Sequence, residues 1–504
     1  MPLEAVSSEV GDTTARRPAP LGVQLLFSFP VALAALLVAL AVLTVRDRFN
    51  DPDMWWHLKT GEIIWNTHHI PTIDTFSYTS NNHPYVPHEW LAQWTIYAAY
   101  HFGGYSGMML WLCLLTSFLL VGGYVLCALH SGNAKVAFLG AMGIWLFSTV
   151  SFAIRPQLIG YDLFLLELLI IHLGRRRNPR WFLLLPPLFA VWVNCHGSFF
   201  LGIMVALVLL ACSFVRLRMG QILPDQWSAS ARRYLGASLF LSFVALWANP
   251  VGWRQITYPL DALFRQNLQK QYVSEWQPLT VVEIRGQMFF VLAALVLLLP
   301  ALRRRGVFFS ELMLLLLSGW LALHHSRLVV VFGLLVMPCL CRLLSDTWNA
   351  YDISRDRILP NALLSIAAMI VAAVAFPTGS KLTDQMKRGN PVGAVEFLKH
   401  LPMSGNMLNE YGYGGYLIWA LPERKVFVDG RGDVFEWSGT LRDYFEWANI
   451  QQNPTVLLSK YRIMACILPQ DSPMARVVRL LRGWQTVYSD DKAVVIVRRA
   501  RANE

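Results

Sequence analysis

Apolar residues run in long unbroken blocks along this chain, separated by short polar turns. The blocks lie near 24–45, 107–128, 134–153, 156–173, 181–195, 197–216, 234–248, 287–301, 307–323, 327–344 and 360–376. A helix needs about 20 apolar residues to cross the hydrocarbon of a bilayer, with a lower limit of about 17. The pattern therefore predicts an α-helical polytopic membrane protein with about eleven transmembrane helices. The stretch 88–103 is apolar but interrupted, which suits an interfacial helix or a short twelfth span. Beyond residue 376 the pattern changes. Helix-like segments ("PVGAVEFLKHL", "MARVVRLL") alternate with strand-like runs ("KVFVDGR", "RIMACILP", "KAVVIVRR"), which predicts a small α/β domain.

Composition sharpens this. The chain has 504 residues, 55% hydrophobic and 15% charged, against about 25% charged in a soluble chain. The net charge of +11 would suggest nucleic acid in a soluble protein, but here its placement excludes that partner. With the N-terminus inside, the basic turns are Arg175–Arg177 with Arg180, then Arg216, Arg218, Arg232 and Arg233, then Arg303–Arg305, then Arg342, Arg355 and Arg357. The turns between them are nearly free of Lys and Arg, which is the positive-inside pattern. The expected organisation is a cytoplasmic tail at 1–20, a transmembrane domain at 21–376 with outer loops 46–106 and 249–286, and an extracytoplasmic domain at 377–504. The first apolar run is too long for a signal-peptide core and reads as an uncleaved span. These features suit a multi-pass protein of the cytoplasmic (inner) membrane. The seven cysteines show no metal or disulfide spacing.

That topology, fixed by hydropathy and arginine positions, puts the costly polar residues on one side. Asp51, Asp53, Trp55, Trp56, His57, His88 and Glu89 fall in the first outer loop. Arg155, Asn194 and His196 fall at outer helix ends, Glu275 in the second outer loop, and His324, His325 and Arg327 in another outer turn. Polar groups at membrane depth tend to mark a working cavity. Carboxylates beside histidines accept protons or hold hard cations. Arginines clamp phosphate, and tryptophans offer flat faces to sugars or anchor the interface. The set suits transfer of a group carried on a lipid phosphate.

The first outer loop, "DPDMWWHLKTGEII" followed by "PTIDTFSYTSNNHPYVPHEWLAQW", resembles that of the GT-C glycosyltransferases, in style closest to the archaeal oligosaccharyltransferase catalytic subunits. Bacterial multi-span proteins grouped with them share the "WWH", "HEW", "RPQ", "HGSF" and "NPVGW" style of motif, with "NEYGYGGYLIW" and "VFVDGR" in an outer domain. The resemblance implies an inverting membrane glycosyltransferase with a polyprenyl-phosphate-linked sugar donor and a glycan, lipid or protein acceptor in the cell envelope. It implies a general base or metal ligand at Asp51, with Asp53 as the alternative, and with His57 and Glu89 beside them in the catalytic set. Their placement on the same face makes Trp55, Trp56, His88, Arg155, Asn194, His196, Glu275, His324, His325 and Arg327 the expected substrate contacts, with Arg155, His324, His325 and Arg327 holding the phosphate. Mg²⁺ or Mn²⁺ at Asp51 is the cofactor the resemblance allows. The chain departs from the oligosaccharyltransferases at "AIRPQL", where a second acidic pair is missing, and it lacks their Trp-Trp-Asp signature. Those departures favour a metal-independent transferase of the lipid or polysaccharide type.

Simpler readings stand beside these. Asp51 and Asp53 suit helix caps, and Asn249 before Pro250 suits a turn. "DGRGD" (Asp429–Asp433) suits a turn with a local ion pair. "YGYGGY" lacks the Lys-Ser or Lys-Thr of a phosphate loop. Two other functions are compatible with the chain. One is a non-enzymatic carrier or flippase for lipid-linked sugars, which would show repeated halves. The other is an envelope assembly protein acting through its outer domain.

Overall fold

The computed structural model describes residues 21–216 and 218–499. The expected cytoplasmic tail, with Arg16 and Arg17, lies outside them. Each of the eleven apolar runs falls on a helix. Seven helices among the described residues are long and apolar enough to cross a membrane: Gly22–Val45, Trp90–Ser131, Ala134–Ser151, Pro156–Arg176, Ile284–Arg303, Ser326–Leu343 and Ile358–Ala375. The other four runs make the shorter helices Leu185–Cys195, Phe199–Cys212, Ala229–Ala245 and Phe309–His324. Prolines explain one of these. Pro186 and Pro187 lack amide donors, and residues Pro179–Leu184 before them wind as a 3-10 helix.

Local chemistry sets the breaks. Ser131 ends its helix because Gly132 takes a left-handed conformation at φ 64°, open to glycine without a Cβ clash. Asn133 then starts the next helix, its side-chain oxygen accepting the amides of Lys135 and Val136. The stretch 88–103 is helical from Trp90 and adjoins the following run. Within Trp90–Ser131 it forms a short helix of its own, because Gly104, at φ 56° and ψ −143°, leaves the helical conformation and breaks it from the run that follows.

Successive helices run to and fro, so their ends gather in two places. The ends near residues 51, 90, 155, 194 and 275 meet at one end through the Arg155–Asp51, Arg155–Glu275 and Trp90–Asn194 bonds. The ends near 133, 175, 225, 310 and 345 meet at the other.

The C-terminal part is α/β. Strands Asn406–Asn409, Ile463–Pro469, Ala493–Arg498 and Trp484–Ser489 lie side by side in that order. The first pair is parallel and the others antiparallel. The apolar runs of Ile463–Pro469 and Ala493–Arg498 form its buried centre, as continuous apolar strands do when both faces are covered. This part packs on the helices without a gap: Leu382, Met386, Ala465 and Ile467 belong to the same core as the helical residues. The first loop pairs with it directly. Tyr78 donates its amide to the Val426 carbonyl (3.2 Å), and Val426 donates back to Phe76 (3.0 Å).

Candidate active site

A cavity of about 230 Å³ opens where the first loop, the helix ends and the C-terminal part meet. Its wall includes Asp53, His57, His88, Glu89, Arg155, His196, Arg327 and Asp433. Two charged clusters organise it.

The first is centred on Arg155, the residue before Pro156 and the N-cap of its helix. Its Nε donates to both oxygens of Asp51 (2.9 and 2.8 Å), and its Nη1 donates to Glu275 Oε1 (3.1 Å) and lies 3.2 Å from Asp53 Oδ2. One cation thus faces three carboxylates. Asp51 is the best held, since its Oδ1 also accepts the Asp53 amide (2.9 Å). Asp53 is held loosely, with Trp56 Nε1 at 3.4 Å from its other oxygen. Asp53 is the N-cap of the helix Met54–Thr67 but makes no side-chain cap bond, so capping is not its role. Burial pushes the Asp53 acid up to about 6; Arg155 opposes the shift, and Asp51 and Glu275 add to it. Such a carboxyl is poised to take and give a proton near neutral pH.

The second cluster is centred on Glu89. His57 Nδ1 lies 3.8 Å from Glu89 Oε2, and His88 Nε2 and His196 Nε2 each lie 3.6 Å from Oε1. The Ser198 amide donates to His196 Nδ1 (3.1 Å), which leaves the Nε2 proton to face Glu89. Burial pulls His57 and His196 down, only partly offset by Glu89, so both imidazoles are neutral. For His88, burial also pulls down, but the Glu89 carboxylate outweighs it and the net shift is upward. Burial pushes Glu89 up, yet the three histidines overcome it and hold the acid well below the usual range. His88 stacks on Tyr258 at 3.7 Å between ring centres, and the Tyr258 hydroxyl donates to Asp433 Oδ2 (3.3 Å).

Arg327 differs from Arg155. Its Nη2 donates to the neutral Gln157 side chain (2.8 Å), and its guanidinium lies 4.7 Å from the Trp276 ring centre. No carboxylate among the described residues lies within ion-pair distance of it. It is a cation available to an incoming anion.

The expected residues therefore divide. Asp53, Trp56, His57, His88, Glu89, Arg155, His196 and Arg327 line the cavity. Asp51 and Glu275 stand behind it on Arg155. Five expected substrate contacts are engaged in other ways. Arg155 is spent on three carboxylates rather than free for phosphate. Trp55 is fully buried between Phe49, Tyr105 and Tyr416 and offers no face to a sugar. Asn194 is consumed by Trp90 Nε1 and by the carbonyls of Ala190 and Ala248. His324 is exposed against Trp320, while His325 packs behind Trp276, with Nδ1 3.0 Å from its carbonyl.

The metal expectation also meets the geometry. The carboxylates of Asp51, Asp53 and Glu275 converge on a guanidinium, which occupies the place a cation would take. Among the described residues no three His, Cys, Asp or Glu side chains converge as metal ligands. This donor set does not fit Mg²⁺ or Mn²⁺.

Gln157, Tyr258, Gly430 and Asp433 also line the cavity, though none was among the expected site residues. Gly430 had a signal, two glycines around one arginine in "DGRGD". A methyl at Gly430 would collide with the Asp53 carboxylate, and one at Gly415 in "YGYGGY" with the Pro52 carbonyl. Both motifs are close-approach surfaces for the first loop. The ion pair expected in "DGRGD" is present, and it is larger than local. Arg431 binds Asp429 through Nε (2.8 Å) and Nη2 (2.6 Å), and Asp74 through Nη1 (2.8 Å), with all three side chains buried. Asn249 makes the expected turn, accepting the amides of Val251 and Gly252.

No protein-family model matches the chain, and no curated protein does. Solved structures match along nearly its whole length. The oligosaccharyltransferase of Archaeoglobus fulgidus, solved with a tethered acceptor peptide, aligns with a TM-score of 0.57 at 12% identity, over 94% of this chain and 75% of that one. ArnT from Cupriavidus metallidurans gives 0.53 at 14% identity, over 94% and 97%. The arabinofuranosyltransferase AftD from Mycobacteria gives 0.52 at 14% identity, over 93% and 41%. These are GT-C superfamily membrane glycosyltransferases. What they share with this chain is the fold, a multi-pass helical membrane architecture.

Proposed function

We propose that this chain of GT-C fold is a membrane glycosyltransferase that takes a sugar from a polyprenyl-phosphate-linked donor and passes it to a cell-envelope acceptor. The cavity end would face outward, with the arginine-rich helix ends inside and about eleven spans between them. One observation carries the reading: a loosely held carboxyl poised near pH 6, Asp53, shares a cavity with an unpaired guanidinium, Arg327.

In this mechanism Asp53 removes the proton from an acceptor hydroxyl. The freed oxygen attacks the anomeric carbon from the face opposite the lipid phosphate. The bond from that carbon to the phosphate oxygen breaks, its electron pair leaves with the phosphate, and the sugar configuration inverts. Arg327 stabilises the departing anion. Arg155, Asp51 and Glu275 hold Asp53 in place and set its acidity. The neutral imidazoles of His57 and His196 offer hydrogen bonds to sugar hydroxyls. No step needs a metal.

The test compares envelope glycans and glycolipids, by mass spectrometry, between a deletion strain and the same strain carrying wild type or Asp53→Asn. Loss of a general base typically costs a hundredfold or more in rate, roughly 10²–10⁴. The expected result is that wild type restores a missing sugar and Asp53→Asn does not. Restoration by Asp53→Asn would remove Asp53 from the mechanism.

A further inference from the structure

The helices that carry the site have a second cavity at their opposite ends. It measures about 380 Å³. Arg175 follows Arg155 by twenty positions on one helix, which at 1.5 Å per residue is roughly 30 Å, the thickness of bilayer hydrocarbon. The walls are apolar, with Leu126, Leu168, Leu209 and Leu335 among them. The polar lining holds three arginines, Arg175, Arg176 and Arg342, with His130, His172 and Ser310, against one carboxylate, Glu311.

The acids here are already used. Glu311 accepts Arg342 Nε (2.8 Å) and Nη2 (2.5 Å), and also the Phe308 amide (2.9 Å). Asp225, just beyond the wall, accepts the Ser310 amide (2.8 Å) and hydroxyl (2.7 Å). Arg342 is fully engaged, but Arg175 and Arg176 keep donors to spare. Arg175 Nη2 forms an ion pair with Asp225 Oδ1 (3.1 Å), while its buried Nε has no hydrogen-bond partner among the described residues. Trp227 and Phe308 fix its guanidinium, with ring centres 5.1 and 5.5 Å away. Arg176 has no ion pair among the described residues. Buried donors without acceptors are costly, and a phosphate supplies several acceptor oxygens at once. The leucine walls suit a hydrocarbon chain.

We propose that this second cavity binds the phosphate of a lipid, with the chain lying along the apolar wall. A membrane phospholipid and a polyprenyl phosphate share that chemistry. The proposal does not depend on glycosyl transfer at the other end.

The experiment uses the full chain in phosphatidylcholine nanodiscs, with Arg327→Gln as background so that the first cavity contributes little. Native mass spectrometry measures binding of phosphatidylglycerol, undecaprenyl phosphate and inorganic phosphate. Saturable binding of at least one lipid is expected, weakened tenfold or more by Arg176→Gln combined with His172→Gln. Neither substitution removes an ion pair of the fold. Preference for phosphatidylglycerol would identify a membrane-lipid site, and preference for undecaprenyl phosphate a carrier site. Absence of saturable lipid binding, binding of inorganic phosphate alone, or equal affinity in the double variant would each overturn the proposal.

Discussion

Arg431 and Arg155 are each held by aspartates, and each joins the first loop to a distant part of the chain. At Arg431 both acids are saturated. Asp74 also accepts the amides of Phe76 and Ser77 and the Ser77 hydroxyl, and Asp429 also accepts the Arg431 amide. All three side chains are closed off from solvent. At Arg155 three acids compete for one cation, and the loser, Asp53, faces a cavity. The difference teaches that an arginine with aspartates is a lock when every oxygen has a donor, and a tuned acid when one does not.

The largest expected effect breaks the lock. Arg431→Met leaves two buried carboxylates without their cation, which typically costs about 3–5 kcal/mol. Thermal unfolding in detergent should show a clear drop in Tm. A midpoint equal to wild type would mean that Asp74 and Asp429 are not held by charge. Next comes Gly430→Ala, where the new methyl meets the Asp53 carboxylate. Overpacking of this kind costs about 1–3 kcal/mol. Sugar transfer should fall with it, because Asp53 moves while Arg431 stays paired. Wild-type transfer by this variant would separate Asp53 from the reaction.

The third prediction concerns pH. As the proposed base, Asp53 would work ionised, and its acid is raised to about 6 from 3.8, so transfer should fall about tenfold per unit below pH 6 and level off above it. The same shift runs against stability: ionising Asp53 costs more in the fold than in the unfolded chain, and that cost grows as pH rises from about 4 to about 6. Asp53→Asn should therefore be at least as stable as wild type at pH 7, which unfolding curves can check. A lower Tm would mean that the carboxylate supports the fold. The smallest effect belongs to His324→Ala. That side chain is exposed and away from both arginines, so stability should change by no more than about 0.5 kcal/mol, with transfer unchanged.

Much of this comparison was legible in the sequence, though only on one side of each contact. Long apolar runs marked the helices, because burial in lipid leaves little choice. "DPDMWWHL" and "HEW" marked the first loop as chemical, and the arginine distribution placed Arg155, His196 and Arg327 with it. What was not legible is pairing at a distance. Nothing near Asp74 announces that its partner is Arg431, 357 positions away. Asp51 and Asp53 look alike within their motif, and the choice between them depends on which one Arg155 takes in both hands. Trp55 and Trp56 are adjacent, yet helical geometry sends one into the core and the other to the cavity.

The cavity's wall near Gly430 and Asp433 has a consequence for how the protein is made. A chain emerges from the ribosome N-terminus first. Asp53, His57 and Glu89 are therefore synthesised more than three hundred residues before the wall that faces them. Until the segment around Gly430 arrives, the acids lack the wall that covers them on that side. The cavity closes only once Gly430 and Asp433 have been made, so a chain that stops short of them carries the first-loop motif without that wall.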